Sequence, residues 1–269
     1  MVRVTTTDRR GVLRAGAGLV AGGALTTGCS STGAAPHSAA SDAAPDAPSP
    51  ASSASRAAGP TAPAPRAFPR QPAQIAHGPR DKPRVALTFH GQGDPALARA
   101  LLTTAEKHGA RLTVLAVGTW LDEHPEMARR ILDGGHDLGN HTQRHLAVNA
   151  LPETDAHAEI TGCADRLRRL TGSIGTWFRP SRAPTASPLV QRLARAAGYP
   201  HVLSYDVDSL DYTRPGAAAV TRQVMGDVRD GSVVSLHFGY ADTVAALPDL
   251  LDELDRRGLR AVTTTELLS

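Results

Sequence analysis

A chain of 269 residues with 41% hydrophobic content can bury a core, which excludes a wholly disordered protein. The net charge of +3 arises in residues 1–83, with nine Lys/Arg against four Asp/Glu; the remainder holds twenty against twenty-two, so the pI of 9.2 does not argue for nucleic acid as a partner. Two cysteines, Cys29 and Cys163, exclude a disulfide scaffold and a cysteine-rich zinc site.

The first 29 residues read as an address. Arg9-Arg10 precedes the apolar run Val12 to Leu25, which is too short for a membrane span of about twenty residues. It fits the h-region of an export signal, and Asp8 to Arg14 resembles a twin-arginine signal. Leu25-Thr26-Thr27-Gly28-Cys29 is similar to a bacterial lipobox, with Thr26 where a large aliphatic residue is usual. The expectation is a lipid on Cys29 that anchors the protein to the outer face of the cytoplasmic membrane. The alternative is plain secretion with Cys29 incidental. Residues 30–79 carry ten prolines among Ala, Ser and Gly, so 30–83 is expected to be a disordered linker. Such a linker reaches about 40 Å on average.

From residue 84 the pattern alternates. Strands are expected at 85–89, 111–117, 176–178, 201–205, 233–237 and 260–263. Helices are expected at 96–108, 125–132, 153–171, 187–198, 217–228 and 243–257. Strand–helix alternation over 84–269 predicts an α/β domain with a parallel sheet, doubly wound or closed as a barrel. In such folds chemistry sits after the carboxyl ends of strands. There the sequence places His90-Gly91-Gln92-Gly93-Asp94, Gly139 to His145, Phe178-Arg179-Pro180, Asp206 to Tyr212 and Leu236-His237. Any one of these could be an ordinary hydrogen-bonding residue, but five in succession on one face point to a site. His141 and His145, four apart, are expected on one face of a helical turn, where two imidazoles can share one metal ion. Zinc, cobalt or nickel suits such nitrogen donors.

These residues resemble the NodB-homology polysaccharide deacetylases, carbohydrate esterase family 4. Val85 to Phe89 is similar to the strand entering the family's first motif. His141-Thr142-Gln143-Arg144-His145 resembles its H-(S/T)-x-x-H metal motif, and Phe178-Arg179-Pro180 the start of its third. Asp208-Ser209-Leu210-Asp211-Tyr212 is similar to D-x-x-D-W, and Ser235-Leu236-His237 to the last motif. The resemblance implies an irregular, incomplete (β/α) barrel. It implies a metal-dependent hydrolase that removes acetyl groups from N- or O-acetylated polysaccharide or oligosaccharide, acting as a monomer with one divalent metal ion, zinc first. Carried over by position, His141 and His145 are metal ligands and His237 the general acid. Arg179 orients the base, Asp208 hydrogen-bonds His237, and Leu236 and Tyr212 line the substrate pocket.

The first motif departs from the family. Its T-F-D-D-G is Thr88-Phe89-His90-Gly91-Gln92 here, so both carboxylates are replaced. In one reading His90 is the base, or a third ligand, and Asp94 turns back to the metal on a glycine-rich loop. In another the protein is a pseudoenzyme that only binds glycan. A metal-dependent hydrolase of a different amide is the third possibility.

Overall fold

The computed structural model describes residues 61–269. The export signal, Cys29 and residues 30–60 of the expected linker lie outside the described residues. No helix among the described residues is long and apolar enough to cross a membrane.

The described residues form eight strands: β1 (Gln74–Ile75), β2 (Arg84–Gly91), β3 (Thr113–Ala116), β4 (Asp137–Asn140), β5 (Val202–Leu203), β6 (Val207–Asp208), β7 (Val233–His237) and β8 (Arg260–Ala261). All their ladders are parallel, in the order β4-β3-β2-β7-β6, with β8 against the start of β2 and β1 against β5. Phe178 bridges Asn140 on one side and Val202 on the other, so pairing continues from β4 through Phe178 to β5 and β1. The result is the expected parallel-strand α/β fold. Helices α1 (Pro95–Lys107), α2 (Gly118–Glu123), α3 (Glu126–Asp133), α4 (Glu153–Thr171), α5 (Pro188–Ala196), α6 (Ala217–Asp227), α7 (Ala241–Arg256) and α8 (Thr264–Leu267) fill the connections.

The period of two along each strand sorts the side chains. On β2, Val85, Leu87 and Phe89 join the core against the helices, while Ala86 joins a second cluster with Ile75, Leu115, Trp177 and Val233. Thr88 and His90 continue that inner row. On β7, Val234 and Leu236 face the helices, leaving Val233, Ser235 and His237 on the inner side. Register then aligns Thr88 with Ser235 and His90 with His237. Two histidines 147 positions apart are thus neighbours on adjacent strands.

The expected linker boundary at residue 83 is wrong. Residues 61–83 belong to the domain: Ile75 is fully buried, β1 pairs with β5, and Phe68 stacks on Trp177 at 5.5 Å. Arg80 forms an ion pair with Asp206 at 2.7 Å, and the Phe68 N–H donates to His201 Nε2. A few large apolar side chains in a Pro-rich segment are enough to dock it, because the rest of the fold presents a hydrophobic surface to receive them. The segment 176–178 enters the sheet only through single bridges at Phe178, and Val207–Asp208, expected as loop, is strand β6.

Candidate active site

Four imidazoles meet at the carboxyl ends of the strands. His90 lies face to face with His141, ring centroids 4.1 Å apart, and edge-on to His237 at 4.4 Å; His145 lies 5.0 Å from His141.

The protonation pattern follows from one group that can only donate. Arg179 is fully buried, with Nε donating to the Leu203 carbonyl and Nη2 to that of Ser204. Its Nη1 lies 3.3 Å from His90 Nε2, which must therefore accept. His90 then carries its proton on Nδ1 and donates it to His237 Nε2 at 2.8 Å. His237 in turn donates from Nδ1 to Asp211 Oδ1 at 2.6 Å. Arg179, His90, His237 and Asp211 thus form one directed chain of hydrogen bonds. Burial pulls Arg179 down to about 9, still a cation at neutral pH. Burial first, then the neighbouring His141 and His237, holds His90 well below the ordinary imidazole value, so it is neutral.

His141 sits on the chain leaving β4. Its backbone N–H donates to Ala116 and its Nδ1 donates to the Arg179 carbonyl at 3.0 Å. Nε2 then carries the lone pair, and it is buried without any hydrogen-bond partner. That is the tautomer and the free nitrogen of a metal-ligating histidine. Burial, then His145, keeps His141 far below its usual value. His145 is lowered to about 4, by burial and then by Arg182. The expected helical turn at 141–145 is absent: Thr142 and His145 both take positive φ, 71° and 56°, which no α-helix tolerates. Asn140 Oδ1 accepts the Thr142 N–H, and the buried Glu159 carboxylate takes the Arg144 N–H and Nε, fixing the irregular loop.

Three expected roles change. Asp94 does not turn back to the histidines; it is exposed and caps α1, accepting the Ala96 N–H at 2.8 Å. Gly93, at φ 101°, packs so tightly on Gly239 that a Cβ would come within 2.6 Å of its Cα, and the Gly93 carbonyl accepts from Trp120 Nε1. That fixes the loop pointing outward. Asp208 does not touch His237; it accepts the Leu210 N–H, and Asp211 takes the role instead. Leu236 is buried against the helices, on the strand face opposite His237, so it cannot line an acetyl pocket. Tyr212, 47% exposed, stands edge-on to His237 at 5.7 Å, as does Tyr240, which lies outside every motif of the sequence. Asp211 was visible in the sequence as the second carboxylate of D-x-x-D, but nothing local favours it over the first.

The donor set for a metal is partial. His141 and His145 supply neutral nitrogens. His90 has both nitrogens engaged, and Gly91 supplies no side chain. Among the described residues no group of three or more His, Cys, Asp or Glu is set to hold an ion.

Comparison with known proteins accords with the fold and the motifs. The polysaccharide deacetylase family profile matches residues 77–202. A peptidoglycan-N-acetylglucosamine deacetylase of Bacillus cereus is 30% identical over 194 residues, covering 71% of this chain and 90% of that relative. A chitooligosaccharide deacetylase of Bradyrhizobium sp. is 28% identical, covering 65% and 85%. Of the peptidoglycan-N-acetylglucosamine deacetylase PgdA of Listeria monocytogenes, 26% identical, the chain spans 38%, with 68% of this chain aligned. Among solved structures, a carbohydrate esterase family 4 pseudoenzyme from Bacillus anthracis superposes with TM-score 0.69 at 26% identity, over 74% of this chain and 70% of that one. A mutant of that pseudoenzyme with restored enzymatic activity superposes with TM-score 0.68 at the same identity, over 74% and 72%.

Proposed function

Because the chain belongs to the polysaccharide deacetylase family, and is by family a hydrolase acting on amide bonds, we propose that it removes acetyl groups from an acetylated cell-wall polysaccharide. The observation that carries this reading is the directed chain from Arg179 through His90 and His237 to Asp211, beside the unpartnered Nε2 of His141. Arg179 holds His90 in one tautomer. His90 serves as the base toward water, in the position the family gives to a carboxylate, once its Nε2 exchanges the long 3.3 Å contact with Arg179 for that water. Asp211 orients His237, which delivers a proton to the departing amine or alcohol. The proton balance runs through the hydrogen bond that joins them: as His90 Nε2 takes a proton from water, its Nδ1 proton passes to His237 Nε2, and from there to the departing amine or alcohol. His141 and His145 would hold a divalent metal, zinc first and cobalt or nickel next, which would supply Lewis acidity toward the acetyl carbonyl. The protein is proposed to be exported and held at the membrane through a lipid on Cys29. Release of the Cys29→Ser variant from the membrane fraction tests that.

A second reading has its own support. The missing third ligand and the likeness to a pseudoenzyme favour a protein that binds glycan without cleaving it. Acetate release from N-acetylated and O-acetylated glycans, with and without added zinc, decides. Release abolished by His237→Ala supports the hydrolase. Glycan binding without any release supports the second reading.

A further inference from the structure

Two cations at the rim of the histidine cluster, Arg182 and Arg214, form no ion pair among the described residues. Arg182 follows Ser181, whose hydroxyl donates to the Leu146 carbonyl and accepts from Thr142 Oγ1 at 3.0 Å, so its loop is stitched to the one that carries His145. Arg214 lies on the other flank. Its guanidinium sits 5.7 Å from the ring centroid of Tyr240, and that ring is 5.7 Å from His237. Arg214 also lines a cavity of about 500 Å³ with Leu97, Gly239, Tyr240, Ala241 and Asp242. The Asp242 carboxylate in that cavity is engaged by the Gly216 N–H at 2.9 Å.

Both arginines are non-glycine residues at positive φ, 54° and 56°, a conformation that costs free energy and persists only where the surroundings fix it. Both are exposed, and among the described residues neither guanidinium has a hydrogen bond or an ion-pair partner. Arg144 on the same rim is, by contrast, tied to Glu159. Unpaired guanidinium groups, one beside the loop of His145 and one beside the Tyr240 ring that abuts His237, match planar anions, which they grip through two parallel N–H donors. A neutral acetylated sugar offers nothing of that kind.

We propose that Arg182 and Arg214 select a glycan that carries carboxylates beside its acetylated sugars. The inference rests on the proposed glycan-directed function and names the substrate class for the same site. The carboxylate could be the lactyl group of a muramic acid or the acid group of a uronic acid.

Binding by calorimetry separates the possibilities without depending on hydrolysis. The probes are a tetrasaccharide containing N-acetylmuramic acid, the same tetrasaccharide with its carboxylates amidated, an acetylated uronate oligosaccharide and neutral chitotetraose. The protein should bind at least one acidic probe more tightly than the amidated and neutral ones, and the difference should shrink at high salt. Whichever acidic probe wins identifies the source of the carboxylate. Arg182→Gln and Arg214→Gln should each weaken the acidic probe about three- to tenfold, with neutral binding and melting temperature unchanged. Equal affinity for acidic and amidated probes, or an equal loss on both in the variants, overturns the inference and leaves the glycan reading intact. Selective binding without acetate release does the reverse, sinking the hydrolase and keeping the selectivity.

Discussion

His237 Nδ1 lies 2.6 Å from Asp211 Oδ1, and the second oxygen of that carboxylate takes the His237 backbone N–H at 2.8 Å and the Thr243 hydroxyl at 2.7 Å. Asp211 is fully buried, so its charge is balanced by these three donors alone. The arrangement fixes the ring and the tautomer of His237 and thereby the direction of the whole chain back to Arg179. Asp211→Asn should cut turnover by about 10²–10⁴-fold, the range of a disabled general acid. Asp208→Asn should change it far less. A larger loss from Asp208→Asn would return the role to that residue.

The metal question has separable parts. His141→Ala and His145→Ala should each abolish binding of zinc followed by calorimetry, because a site with two protein nitrogens has none to spare. Asp94→Ala should leave zinc binding untouched and lower stability by about 0.5–2 kcal/mol, the cost of a lost helix cap. Zinc lost on Asp94→Ala would mean that the loop does turn back.

Gly91 occupies the position at which the family motif has its ligand carboxylate, yet restoring the residue should not restore the ligand. A Cβ at 91 would meet Val114 Cγ1 at 3.0 Å and the Ala116 Cα at 3.1 Å, on the strand face that packs against the helices. Gly91→Asp is therefore expected to lower the melting temperature without tightening zinc. Tighter zinc in that variant would show that the end of β2 re-forms around the metal.

Acid should unfold the domain earlier than its ion pairs alone require. His90, His141 and His136 are lowered chiefly by burial, and His145, also by burial, to about 4. In the unfolded chain they take up protons near 6.5. Between that value and the folded ones the unfolded state binds more protons, so stability rises with pH there and is lost as pH falls through the window. Asp137, raised by burial, acts with the opposite sign, but it is one carboxyl against four imidazoles. The denaturation midpoint should stay flat above about pH 7 and fall steadily below 6.5. A midpoint unchanged down to pH 4.5 would contradict it.

Residues 61–83 should be needed for folding. Ile75→Ala is expected to cost about 2–5 kcal/mol, as for other fully buried large-to-small changes. A chain beginning at residue 84 should lose its cooperative transition, while one beginning at 61 keeps it. An equally sharp and stable transition in the shorter chain would show the segment to be dispensable.

The sequence by itself determined the alternation of strands and helices, and α4 lies where its pattern puts it, at Glu153–Thr171. It also placed His90, His141, His145, Arg179 and His237 at the carboxyl ends of strands. Those readings depend on period and local punctuation, which are properties of neighbouring residues. Which carboxylate holds His237 depends on register between β6 and β7, where Asp208 pairs with Ser235 and Asp211 falls one turn beyond. Which way Leu236 faces depends on the parity of β7 against the core. Whether Asp94 reaches the histidines depends on Gly93 packing against Gly239 and Trp120. Whether Phe68 and Ile75 are linker or core depends on a surface built by residues more than a hundred positions away. Each is set by contacts between distant segments, whose free energies no local pattern encodes, and only the tertiary structure decided them.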